Sequence, residues 1–206
     1  MAATTFAAAP YTVHPASLAA ERAVLVAGQL ARRDQAAAVA ALAALFRSGT
    51  APQPALDGRY RGVLVTPTLP PLFNGPFRAL TDRWLPWQGK TLSAATQMGD
   101  NIFTNDALPL ARLIYPFYRR DVADVLVGQS RALQFRTALG PSVTDPAVTV
   151  LKIDYDLDLN PGFVVRRVLD ELVQLAPGYY LGQALLRRGS RAAPRWACAA
   201  YFTLAA

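Results

Sequence analysis

The chain has 206 residues, 52% of them hydrophobic and 17% charged, with mean hydropathy +0.18 and a formal charge of +7. That apolar fraction excludes intrinsic disorder over most of the length and suits a single core with appendages. One cysteine, Cys198, and one histidine, His14, exclude an internal disulfide, a cysteine-based zinc site and a multi-histidine metal cage.

Only Lys90 and Lys152 are lysines, so arginine carries the positive charge, in scattered groups such as Arg32-Arg33, Arg119-Arg120 and Arg166-Arg167. Without a basic stripe interleaved with aromatics these read as solvated surface, and no nucleic-acid partner is expected. Met1–Pro10 lacks a basic segment of the kind that opens a secretory signal. The longest uncharged helical run, Gln35–Phe46, is well short of the ~20 residues of a spanning helix, so no transmembrane segment is expected. With one thiol, the expected compartment is the reducing cytoplasm.

Residues 1–16, with Pro10 and Pro15, read as an N-terminal arm. From Ser17, a helix-capping residue type, to Phe46 the pattern is helical, with Val39, Leu42, Leu45 and Phe46 forming one apolar stripe and Gly49 at the C-terminal end. Arg32-Arg33-Asp34 offers a break, with Asp34 capping a second helix. The chain thus divides into residues 1–54, an arm and helical segment, and residues 55–206, where short period-two runs separated by Gly and Pro predict a β-rich domain.

Strands are expected at 59–65, 89–92, 101–104, 111–118, 122–127, 132–138, 148–157, 179–186 and 196–204, with a helix over 76–85. In 148–157, Leu151, Ile153 and Tyr155 alternate with Lys152, Asp154 and Asp156, one face buried and one wet. Residues 160–175 fit either helical or strand spacing, and a helical turn followed by a strand satisfies both. Eight or nine antiparallel strands joined by short loops leave exposed edges unless they close, which predicts a mainly β fold: a single antiparallel barrel with an N-terminal helical layer.

Asp154, Asp156 and Asp158 have the spacing of the start of a calcium loop, but Leu159 replaces its glycine and Val165 its terminal glutamate, so no metal site is expected. Nothing in the sequence resembles a phosphate-binding loop or a serine-nucleophile elbow, and no cofactor is expected. Asp170-Glu171 is the one adjacent acidic pair in apolar surroundings; in a strand the two point to opposite faces, so one enters the interior. There it either pairs structurally with an arginine such as Arg136 or serves as a general acid or base, with Tyr155 or Tyr180 as a proton-donating partner. A desolvated carboxylate beside a phenol favours chemistry, and one facing solvent favours simple carriage.

Gly58-Arg59-Tyr60-Arg61-Gly62 resembles the Gly-x-Trp-x-Gly opening strand of lipocalin-like barrels, with Tyr60 in place of the tryptophan. Trp87-Gln88-Gly89-Lys90, Phe135-Arg136, Tyr155-Asp156 with Asn160-Pro161, Asp170-Glu171, Gly178-Tyr179-Tyr180-Leu181-Gly182 and Ala200-Tyr201-Phe202 follow in order. Over residues 56–204 this succession resembles lipocalin-like proteins of unassigned activity, which implies a closed barrel with an internal cavity for lipid-like molecules. The expected ligand is a hydrophobic small molecule, a fatty acid or isoprenoid, held by Tyr60, Trp84, Trp87, Tyr155 and Tyr180, with Arg59, Arg61 or Arg136 on its acidic end. The alternatives are an isomerase or hydratase acting on such a guest through Asp170 or Glu171, and an interaction or self-association module whose apolar helical stripe stays exposed on the isolated chain.

Overall fold

The computed structural model describes residues 14–53, 55–68, 87–104, 128–160, 162, 165–190 and 192–206. Among the described residues, two helices, α1 (Pro15–Leu30) and α2 (Gln35–Ser48), precede eight strands: β1 (Gly58–Pro67), β2 (Trp87–Ser93), β3 (Met98–Thr104), β4 (Gln129–Pro141), β5 (Thr149–Asp154), β6 (Val168–Ala176), β7 (Tyr179–Arg188) and β8 (Arg195–Ala205). Each strand pairs antiparallel with the next, and β8 returns to β1, closing the barrel. The expected strands at 111–118 and 122–127, the helix at 76–85 and the arm before His14 lie outside the described residues. Residues 160–175 resolve as the sequence allows, a 3-10 turn at Val165–Arg167 running into β6.

The helical segment divides where its charges fall. The Asp34 carboxylate accepts from the Ala37 amide at 2.9 Å and caps α2. Asp34→Ala is expected to cost about 1 kcal/mol in chemical denaturation, the usual worth of such a cap. Ser17 is not the cap of α1: His14 takes that place, its Nδ1 accepting from the Ala16 amide, with Pro15 opening the helix. Ser17 Oγ instead donates to the Pro177 carbonyl at 2.6 Å, tying α1 to the β6–β7 turn.

The period-two alternation builds two apolar layers. Inward residues, among them Phe135, Ile153, Leu172, Phe202 and Leu204, fill the lumen. Outward residues of β6, β7 and β8, namely Val173, Leu181 and Tyr201, pack under Val24, Ala27, Leu42 and Phe46 of the helices. The stripe expected to stay open for a partner is therefore covered, with Leu42 0% and Phe46 4% exposed, because the barrel wall facing it is itself apolar. The large apolar residues left in water on this layer belong to α1: Leu18, Leu25, Val26 and Leu30. Among the described residues, no helix is long and apolar enough to cross a membrane.

The barrel ends differ. At one end, called lower here, the strands are joined by 94–97, 142–148 and 177–178; at the opposite, upper end lie the last residues of β1, β3, β5 and β7. Tyr60 and Tyr180 meet edge to face inside the barrel toward the lower end, their ring centroids 5.8 Å apart, and the Tyr60 hydroxyl donates to the Asp57 carbonyl.

Candidate functional site

Lys90 lies near the middle of β2, on its inward face, and is 2% exposed. A lysine is almost never buried this far unless it is paired, and its partner comes from the opposite wall. Asp170, the third residue of β6, is 4% exposed and places Oδ2 2.9 Å from Lys90 Nζ. Nζ also donates to Asn101 Oδ1 of β3 at 2.8 Å and to the Tyr155 hydroxyl. The Tyr155 hydroxyl donates to Asp170 Oδ2 at 3.1 Å and accepts from Asn101 Nδ2 at 3.0 Å, while the Trp87 indole donates to Asn101 Oδ1 at 3.0 Å. Five residues from β2, β3, β6 and the start of the β5–β6 connection thus form one hydrogen-bonded cluster across the lumen.

Four rings surround the ammonium. Nζ lies 5.1 to 5.4 Å from the ring centroids of Trp87, Phe135, Tyr155 and Phe202, within cation–π range of each. Three glycines admit this crowding, one of them Gly99, where a Cβ would overlap the Phe135 ring. A Cβ on Gly62 would overlap the Trp87 indole, and one on Gly182 would overlap the Phe202 ring, so a side chain at either position would push a ring off the cage. The roomy apolar lumen expected from the resemblance is, at this level, a filled aromatic and polar centre.

Burial shifts the two titrating groups in opposite directions. Desolvation lowers the Lys90 pKa, with the Asp170 charge and hydrogen bond opposing it. Desolvation raises the Tyr155 phenol well above its usual range, and the neighbouring Asp170 carboxylate adds to the rise. Tyr179, pushed up to about 12 by burial, and Tyr60 and Tyr180, raised by the same cause, behave likewise. A raised phenol keeps its proton in the fold while the unfolded chain releases it above pH 10, so this contribution to stability is complete below pH 10 and is lost as pH rises toward and beyond 12. Denaturant midpoints are expected to fall steadily over that window, followed alongside phenolate absorbance.

The other expected site residues separate cleanly. Asp170 enters the lumen and Glu171 faces outward. There Glu171 is fully buried beneath the β4–β5 connection, accepting from Ser142 Oγ at 2.6 Å, the Val143 amide at 2.7 Å and Gln183 Nε2 at 2.9 Å. Its role in the structure is to pin that connection, and it has no path to a luminal guest. Arg136, expected either to hold a ligand's acidic end or to pair with the buried carboxylate, does neither: Phe135 takes the inward position, and Arg136 lies outside, 2.7 Å from Asp154. Arg61 likewise points outward and lines a cleft of about 740 Å³ between α1 and β1. Tyr155 and Trp87 join the cluster, Tyr60 and Tyr180 lie toward the lower end, and Trp84 is outside the described residues. The carboxylates of the calcium-like run are taken up by arginines, Asp154 by Arg136, Asp156 by Arg166 and Arg187, and Asp158 by Arg166.

Lys90 ends the Trp87-Gln88-Gly89-Lys90 run and Asn101 opens an expected strand, but neither motif nor spacing marks either one as a site residue. The available signal was scarcity: in a chain that uses arginine nearly everywhere, a lysine has been kept inside a β-strand. Compared with known proteins, the chain matches no family model, no curated protein and no solved structure. What the cluster does must therefore be argued from its own chemistry.

Proposed function

We propose that the barrel is a lipocalin-like receptor for a small hydrophobic molecule with a polar, acidic end, of the fatty acid or isoprenoid class. The guest's polar end meets the cluster around Lys90. The observation that carries this reading is the fully desolvated lysine in a four-ring cage. A buried ion pair contributes little net stability compared with apolar packing, and strongly perturbed ionisable groups concentrate at functional sites. The ring walls supply affinity for an apolar body, and the ammonium and phenol supply donors for a carboxylate. The same reading places the protein in a reducing compartment such as the cytoplasm, supported by the lone, partly buried thiol of Cys198.

The test is a titration of the purified protein with oleic acid and with oleyl alcohol, followed by intrinsic tryptophan fluorescence and native mass spectrometry. The acid is expected to bind about tenfold more tightly than the alcohol, a difference of ~1.4 kcal/mol, and Lys90→Met is expected to remove that preference. Absence of binding by either probe would overturn the receptor reading.

A second reading is favoured by one contact. The Tyr155 hydroxyl, 3.1 Å from a desolvated Asp170 carboxylate, is the carboxylate–phenol pairing that general acid–base chemistry needs, so an isomerase- or hydratase-type reaction on the same guest would use Asp170 and Tyr155. Glu171 has no part in it.

A further inference from the structure

Lys90 presents more than a positive charge. Its Nζ is a primary amine held between a carboxylate at 2.9 Å and a phenol, and that phenol also contacts the same carboxylate at 3.1 Å. We propose that Lys90 captures the carbonyl group of a hydrophobic aldehyde or ketone as a Schiff base. This rests on the receptor reading and names a substrate class for its site.

The step balances without any oxidant or reductant. Lys90 gives one proton to Asp170, which frees the nitrogen lone pair to attack the carbonyl carbon. The new C–N bond forms as the carbonyl π pair moves onto oxygen, and Tyr155 supplies the proton that makes this oxygen the hydroxyl of a carbinolamine. The nitrogen, cationic after the attack, passes a second proton to the Tyr155 phenolate and so regains a lone pair; Asp170 then returns its proton to the hydroxyl, which leaves as water while that pair forms the C=N bond. The nitrogen then carries one hydrogen and a positive charge as an iminium, with Asp170 again a carboxylate and Tyr155 again a phenol.

What makes this site suited to the product is conservation of charge. Ammonium before and iminium after are both cations centred on the same nitrogen, so the Asp170 carboxylate and the four rings at 5.1 to 5.4 Å stabilise both. Desolvation disfavours the free ammonium and lowers the cost of exposing its lone pair, which is how lysines become nucleophiles in apolar pockets. Trp87, the first residue of β2, and Tyr155, just beyond the end of β5, stand on the upper side of Lys90.

The sequence provides the control. Lys152, the other lysine, projects from the outward face of β5. The full chain is incubated with trans-cinnamaldehyde, reduced with sodium cyanoborohydride, and peptide-mapped by mass spectrometry. The expected result is a secondary-amine adduct predominantly on Lys90, at least about tenfold more abundant than on Lys152, with that preference lost in urea-unfolded protein where both lysines react alike. Asp170→Asn is expected to slow trapping at Lys90 while leaving Lys152 unchanged, and Tyr155→Phe, which keeps the ring, should do the same where the Asp170 variant fails to fold. Labelling of Lys152 and the α-amine with Lys90 untouched in the native protein would overturn the proposal. If oleic acid binds in the fluorescence titration and Lys90 still goes unlabelled, only the covalent step fails; if neither probe engages the barrel, the receptor reading fails with it.

Discussion

Lys90→Met is expected to lose about 3–5 kcal/mol of unfolding free energy, because it leaves the Asp170 carboxylate buried without its counter-charge and removes a donor from both Asn101 and Tyr155. Restoring the balance should recover most of that loss. In the double variant Lys90→Met with Asp170→Leu neither charge remains, the volume is roughly kept, and stability is expected to return to within about 1–2 kcal/mol of the parent. Guanidinium denaturation of the two single variants and the double gives the cycle directly. Equal, additive losses would mean that the two groups do not act as a pair.

Phe135→Ala is the second large effect, expected at about 3–5 kcal/mol, within the range for deleting a buried aromatic side chain. Phe135 is fully buried, meets Tyr155 edge to face with ring centroids 5.4 Å apart, and forms one wall of the cage around Lys90. Its removal opens the lumen beside the ammonium. Phe135→Leu keeps most of the volume and is expected to cost markedly less, so thermal denaturation of the pair distinguishes loss of packing from loss of the ring's electrostatics. On the outer wall, by contrast, Arg136→Ala should be nearly silent, since its partner Asp154 is about a third exposed and the pair stands largely in water.

Much of the architecture was legible locally. Leu151, Ile153 and Tyr155 alternate with Lys152, Asp154 and Asp156, and those two sets do face the lumen and the outside. Asp34 is a cap because a short carboxylate can reach an amide three residues on, a relation contained within one turn. Even the separation of Asp170 from Glu171 followed from the two-residue period of a strand. The same period already set Arg136 opposite to Phe135, and the expectation that Arg136 reaches a luminal guest overrode that signal in favour of its charge. The fate of the α2 stripe was illegible for a different reason. An apolar helix face must be covered, but whether by a partner or by its own barrel depends on the outward residues of β6–β8, far along the chain.

Composition and periodicity alone determined that this chain makes a mainly β fold with a leading helical layer, and which residues of each strand share a face, because those are properties of neighbours in sequence. They could not join Lys90 to Asp170. The two lie on β2 and β6, halfway round a ring of eight from one another, and they share no ladder, turn or helix. Only closure of the ring brings opposite walls within reach across the lumen, and only exclusion of water there turns an ordinary lysine into one held by a single carboxylate, a phenol, an amide and four aromatic rings.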